Sequence, residues 1–311
     1  MFIVNHRRFF FWLTGLILAA AIGAIALWGL PLSIDFTGGS LVEVAYPAGR
    51  PALAAIKAQV DAAAIGPASV IPSGANDVKI RAKTLSPAEH AALLSALDAR
   101  ATSTAATSTS AGQVSELSFT SVGPALGSQF AHKALWAILA VVLAIVLYIA
   151  FAFRQVSRPV PSWGYGLTVV LMLAIDIIVP TGFYAALCHY TGAEVDSLFV
   201  VALLALLGYV VNDIIVVFDR VREHLKNNEK MNRKEPFDET VGKSIDETMA
   251  RSINTALTVV LALGALIWLG APATRDFALV MLVGVVAGTF SSICRSAPFL
   301  IPLAHYFERK K

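Results

Sequence analysis

Charge is scarce in this sequence. Only 14% of its 311 residues are Asp, Glu, Lys or Arg, where a soluble domain carries about a quarter. Set against 57% hydrophobic residues, that shortage excludes a water-soluble globular fold and places the chain in a membrane. The net charge of +3 is small, and no basic face combines with stacking aromatics, which argues against nucleic acid as a partner. Cysteine is nearly missing. Cys188 and Cys294 fall in or at the edge of apolar runs and read as small apolar fillers, with no disulfide framework. No metal-ligand spacing, phosphate loop or Ser-His-Asp arrangement stands out, so neither enzyme chemistry nor a cofactor is expected.

What the chain has in abundance is long apolar runs. Six of them, near 9–30, 134–153, 163–188, 197–218, 252–270 and 277–303, reach the roughly 20 residues that cross a bilayer as a helix. The first follows Asn5-His6-Arg7-Arg8, like the start of a signal peptide. It runs too long for such a segment, and Trp12 and Trp28 bracket it as interface anchors, so an uncleaved first helix is expected. Lys and Arg gather at Arg7/Arg8, Arg154/Arg158, Arg220 through Lys243 and Arg309–Lys311, while the loop 189–196 carries only Glu194 and Asp196. The positive-inside rule then puts both termini in the cytoplasm.

The domains follow from this pattern: a tail and first span at 1–30, an outer segment at 31–133, spans two to four at 134–218, a cytoplasmic loop at 219–248, and the last two spans with a basic tail at 249–311. In the outer segment, residues 39–46 alternate like a half-buried strand, and 51–64 have helical period before Gly66-Pro67. Two strands, 68–71 and 78–82, flank a turn at 73–77. Ser86-Pro87-Ala88-Glu89 starts a second helix with a capping box, and 115–122 is a final strand. Residues 101–112 form a Ser/Thr-rich hinge. Strand, helix, strand, strand, helix, strand is the split βαβ order of a small α+β, ferredoxin-like domain. In the cytoplasmic loop, 241–251 reads as an amphipathic lead-in on the surface before the fifth span, and most of the loop's charges as a solvated connector.

Three ionisable residues lie inside the apolar runs: Asp176, Asp213 and Arg295. A carboxylate there is expensive and rare without a partner, a wet cavity or a function. Asp213 lies roughly 8 Å from the cytoplasmic end of its helix, and Arg251 enters the next span from the same side at similar depth. Arg251, Asn254, Thr255 and Thr258 share one helical face, and with Asn212 they could form a hydrated pocket around Asp213. Separating Asp213 from Arg251 would turn a helix shift into proton uptake; a plain ion pair with a snorkelling arginine is the competing reading.

Asp176 precedes Pro180 by four residues, which frees its carbonyl and makes a polar spot, either a local hydration pocket or part of a proton path. Arg295 is expected to snorkel to the cytoplasmic surface. Gly284 and Gly288 form a small-residue packing face, and Gly208 would let a neighbour approach Asn212. An aspartyl-protease dyad of Asp176 and Asp213 is disfavoured, because their depths differ by roughly 10 Å and the Gly-x-Gly-Asp and Tyr-Asp motifs are missing.

Several of these motifs resemble those of the SecD/SecF family, and specifically its SecF branch: Ile34-Asp35-Phe36-Thr37-Gly38-Gly39-Ser40, Ser121-Val122-Gly123-Pro124-Ala125-Leu126-Gly127, and Gly208-Tyr209-Val-Val-Asn212-Asp213 through Glu223. Arg251-Ser-Ile-Asn254-Thr255, Arg275-Asp276-Phe277-Ala278 and Gly288-Thr289-Phe290-Ser291-Ser292 complete the pattern. The resemblance implies an α-helical polytopic membrane protein, one half of an RND-like bundle, with a periplasmic ferredoxin-like domain, in the bacterial inner membrane. It also implies a SecD partner, the SecYEG translocon with YajC and YidC, membrane lipids around it, and a preprotein driven outward by the proton-motive force. In the family, the positions matching Asp213 and Arg251 belong to the proton pathway; the reading of the residues places Asn212, Asn254 and Thr258 beside them and makes Asp176 a further candidate for the path. Asp35, Gly38, Gly39, Gly123, Pro124, Gly208, Gly284 and Gly288 would be structural. Ile175 stands where His is frequent in the family, Arg295 where small or apolar residues are usual, and 227–235 is longer than typical. A stand-alone proton-coupled exporter and a passive assembly factor are the alternatives.

Overall fold

The computed structural model describes residues 2–47, 49–74, 76–101, 114–152 and 159–308. Beyond residue 101 the expected hinge lies outside the described residues, as do Arg154, Arg158 and Arg309–Lys311. In chain order the elements are α1 (Phe2–Asn5), α2 (Arg7–Trp28), α3 (Ile34–Thr37), β1 (Gly39–Ala45), α4 (Leu53–Ala62), β2 (Ala68–Ser73), β3 (Asp77–Ala82), α5 (Pro87–Ala101) and β4 (Ser115–Val122). There follow α6 (Pro124–Ala152), α7 (Ser162–Thr191), α8 (Ser197–Lys230), α9 (Phe237–Leu269), α10 (Pro272–Ser291), a π-helical turn (Ser292–Ser296) and α11 (Ala297–Glu308). They form two compact units, one of Met1–Gly29, Trp136–Leu187 and Leu198–Lys311, the other of Leu30–Leu135 and Cys188–Ser197.

The smaller unit is built on a four-stranded antiparallel sheet in the order β2-β3-β1-β4. That order follows when a βαβ crossover leaves room for the next hairpin strand between its two strands, the ferredoxin-like arrangement. Alternation in β1 and β3 turns Val42, Val44, Val78 and Ile80 inward, where they meet Ile56 and Val60 of α4 and Leu93 and Leu97 of α5. The capping box forms: Ser86 N–H donates to Glu89 Oε2 at 2.8 Å and Glu89 N–H to Ser86 Oγ at 3.3 Å. Lys83 at 2.8 Å, helped by Ser86, pulls the Glu89 carboxyl down to about 2. Burial, with the charge of Asp98 adding to it, pushes the Tyr46 phenol up to about 12.

The larger unit holds helices long and apolar enough to cross a membrane. Together with α6, whose first residues belong to the smaller unit, the described residues contain six such spans, the last comprising most of α10, the π turn and α11. Its core is made by α7, α8 and α10–α11, with Tyr165, Phe218 and Leu206 fully buried. By contrast α2 and α6 leave Trp12, Leu16, Leu139 and Leu143 exposed. In a bilayer such side chains meet lipid tails at no penalty.

The structure refines three expectations. The helix that carries the second span starts at Pro124, ahead of the apolar run near 134, because proline suits the first helical turn. The loop 219–248 is mostly helix, since α8 continues to Lys230 and α9 starts at Phe237. Its charges pair along and between those extensions: Arg220 with Glu223 at 2.5 Å and with Glu247, His224 with Glu247 at 3.0 Å, Lys243 with Glu239 at 3.1 Å. Lys243 also bonds Glu235 at 2.6 Å and, with Asn228, holds its carboxyl below the usual range. Finally, the last span is interrupted at residues 292–296 by the π turn, a wider coil that tends to mark functional positions.

Candidate functional site: two carboxylates inside the helical bundle

The closest packing in the bundle is made by glycine. A Cβ on Gly284 would collide with the Leu206 side chain and one on Gly288 with Val210. Small residues let helix backbones approach when lipid supplies no hydrophobic drive for association. Ser292 continues that stripe at the same four-residue spacing, and Asp213 follows Val210 by three on the facing helix. So α10 and α8 meet closely enough for a short serine to reach the carboxylate. Ser292 Oγ donates to Asp213 Oδ2, and lies 2.9 Å from its own helix's Thr289 carbonyl as an alternative acceptor.

A second small stripe approaches from α9. Thr240, Ser244, Thr248 and Ser252 recur every four residues and all are buried. The first three turn their hydroxyls back to carbonyls four residues earlier, at 3.4, 2.8 and 2.8 Å. Ser252 instead donates to Asp213 Oδ1. Half-buried Asp213 is thus held by one seryl hydroxyl on each oxygen.

The polar residues predicted around Asp213 lie elsewhere. Arg251, Asn254, Thr255 and Thr258 occupy the exposed side of α9, and Asn212 is exposed on α8. Among the described residues Arg251 makes no ion pair, so the expected Asp213–Arg251 pairing is not formed. The reason is rotational: Ser252, one residue on, takes the inward face. Gly208 is also exposed, and a Cβ there would meet nothing within 4 Å, so the close approach falls at Gly284 and Gly288.

Arg295 does not snorkel. Its Nη2 donates to Asp176 Oδ1 at 2.8 Å, with the two side chains only 4% and 2% exposed. From within the π turn the arginine reaches inward to α7, and pairing offsets the desolvation of both ions. Asp176 is therefore ion-paired, which replaces the simple hydration pocket.

In the smaller unit, the glycine motif forms an interlocked corner. Ser33 caps α3, and Asp35 Oδ2 accepts from Ser197 N–H at 2.9 Å and Ser197 Oγ at 2.7 Å. Gly38 (φ +73°) would put a Cβ 2.6 Å from Pro124 Cα, and Gly39 (φ +130°) one 2.7 Å from the Ala82 carbonyl oxygen. The Gly123 carbonyl accepts from Gly127 N–H at 3.0 Å, and Gly127 in turn abuts Gly38.

Partnered charges inside a bundle of spans, in a chain with a ferredoxin-like domain inserted after the first span, define a multi-pass membrane transport protein of the RND-like type. The family described as protein export membrane protein SecD/SecF, C-terminal, matches residues 102–305, and the SecD/SecF GG motif matches 29–46. The chain belongs to the SecD/SecF family. Protein translocase subunit SecF of Anaerolinea thermophila is 35% identical across 96% of this chain and 92% of that protein. The SecF of Thermobaculum terrenum is 36% identical with the same coverage, 96% and 92%. The crystal structure of SecDF, a translocon-associated membrane protein from Thermus thermophilus, aligns with a TM-score of 0.78 at 30% identity. That alignment covers 97% of this chain and 38% of the SecDF chain.

The serine pair and the π turn were missed by sequence reasoning. A signal existed for both: hydroxyl residues every four positions in α9, and Ser292 extending the Gly284–Gly288 stripe.

Proposed function

We propose that this chain is an accessory, non-enzymatic subunit of the Sec protein translocase that works with SecD and uses the proton-motive force to promote preprotein export. The observation that carries the proposal is Asp213, a carboxylate within a spanning helix held by two hydroxyl donors from two other spans. An intramembrane acid facing a bundle interior is the usual means of moving protons. Protonated, Asp213 becomes a donor at one oxygen. With the proton on Oδ2, that O–H donates to Ser292 Oγ, Ser292 turns its own hydrogen to the Thr289 carbonyl at 2.9 Å, and Ser252 keeps donating to Oδ1. Both states leave every polar group partnered, so the proton can cycle without orphaning a buried group.

Asn212, Arg251, Asn254 and Thr258 are exposed in this chain, and we assign their side of α8 and α9 to the contact with SecD, where they would guide protons to Asp213. The Thermus SecDF chain, of which this chain matches 38%, has room for such a second half. Further partners on this reading are SecYEG with YajC and YidC, and the emerging preprotein. On this reading the protein lies in the inner membrane, and the basic clusters support both termini in the cytoplasm with the ferredoxin-like domain in the periplasm. The test is gradient-dependent preprotein export in vesicles, comparing wild type with Asp213→Asn at matched expression and matched SecD. Asparagine keeps the shape but carries no proton; stimulation is expected to vanish while the complex stays assembled. Unchanged export would instead make the chain a passive assembly factor.

A further inference from the structure

The π turn carries two contacts that point to different helices. Its first residue, Ser292, donates to Asp213 of α8; its fourth, Arg295, donates to Asp176 of α7 at 2.8 Å. In a regular α-helix, residues three apart share a face and would address the same neighbour. The wider coil of the π turn rotates the second away from the first, so that each reaches its own carboxylate. Such a turn is less favourable than regular helix and persists only where its surroundings hold it.

Besides the Ser292–Asp213 bond, other contacts hold this one. Ser296 Oγ donates to the Ser292 carbonyl at 2.5 Å. The Arg295 guanidinium lies 5.8 Å from the centre of the Phe290 ring. The Asp176–Arg295 pair ties the turn to α7, as the Ser292 bond ties it to α8. Among the described residues, Asp176 Oδ2 and Arg295 Nε are buried without a hydrogen-bond partner, so the pair is not optimised for stability.

We infer that Arg295 is a positioning residue for Asp213: by clamping the π turn to Asp176 it keeps the Ser292 hydroxyl on the Asp213 carboxylate. This rests on Asp213 being the proton carrier. Without the clamp, the turn relaxes toward regular helix and Ser292 rotates off Asp213. A buried ion pair can often be replaced by apolar residues without loss of stability, which allows a clean separation of roles.

The experiment compares wild type, Ser292→Ala, Arg295→Lys and the neutral pair Asp176→Leu/Arg295→Met, all in membranes with the partner subunit. Two quantities are read: the rate at which a hydrophobic carbodiimide modifies Asp213, located by peptide mass, and gradient-driven export. Loss of a charge-assisted hydrogen bond should raise the labelling rate about tenfold in the neutral pair, as in Ser292→Ala. Export should fall by a similar factor at normal assembly. Because a single guanidinium nitrogen makes the contact, Arg295→Lys should keep both readings near wild type. Wild-type labelling in an assembled neutral pair would overturn the inference and leave the ion pair merely structural. If the neutral pair does not assemble, Arg295→Met alone decides: faster labelling of Asp213 supports the clamp and wild-type labelling overturns it. Labelling does not depend on export, so failure of Asp213→Asn to affect export would defeat the Sec reading by itself.

Discussion

Gly38→Ala tests the interlocked corner of the ferredoxin-like unit, and the structure supplies its control. Gly38 has φ 73° and ψ 165°, and Gly29 has φ 71° and ψ −171°. Both lie in a region that is essentially restricted to glycine, where another residue costs about 1–3 kcal/mol. They differ in surroundings. A Cβ on Gly29 would meet nothing within 4 Å, whereas one on Gly38 would sit 2.6 Å from Pro124 Cα, ~1 Å inside ordinary carbon–carbon contact. Pro124 opens a long helix and cannot yield as a side-chain tip can, so overpacking adds about 1–3 kcal/mol. The alanine at 38 should therefore cost ~2–6 kcal/mol in total, against ~1–3 at 29. Hydrogen exchange in β1 and β4, read by mass spectrometry on the intact protein, measures the local part. The excess should speed exchange there by roughly 5- to 150-fold in Gly38→Ala relative to Gly29→Ala. Equal exchange in the two variants would refute the claim that the motif is a steric interlock.

Two further outcomes follow from the geometry. Ser252→Ala and Ser292→Ala should each slow gradient-driven export by about tenfold, the scale of one hydrogen bond to a charged group, while Thr255→Ala on the exposed face should leave it within about twofold. Equal effects of all three would remove the serine pair from the mechanism. Tyr46 gives a pH signature in the other unit. Its folded pKa of about 12 lies above the ordinary phenol value of 10.0, so its contribution to stability is complete below pH 10.0 and is lost as pH rises toward 12. Ultraviolet difference titration of wild type against Tyr46→Phe should show that phenol ionising late; ionisation near 10 would contradict its burial.

Much of the fold was legible in the chain because its signals are local. Ser86 and Glu89 cap a helix with contacts three residues apart, and alternation in residues 39–45 allows only a strand with one buried face. The helical extensions of α8 and α9 were local too, in their ion pairs at spacings of three and four, but polarity there was read as a loop. Asp213 stood out because a charge in an apolar run is costly whatever surrounds it.

What surrounds Asp213 was another matter. In water, an apolar stripe on a helix marks its inward face; in a bilayer, lipid-facing and protein-facing sides are both apolar, so the stripe no longer reveals rotation. Spacing alone put Arg251, Asn254 and Thr258 on one face, correctly, but could not say that this face is exposed and that Ser252 points inward. Nor could it reveal a π turn, since one widened coil depends on contacts from helices far away in the chain, here Asp176 to Arg295 across 119 residues. The sequence by itself determined which segments cross the membrane, the order of strands and helices between the first two spans, and the presence of a charge that must be satisfied. Tertiary structure alone decided the partners of that charge, because helix rotation and close approach at Gly284 and Gly288 are properties of neighbours, not of any one segment.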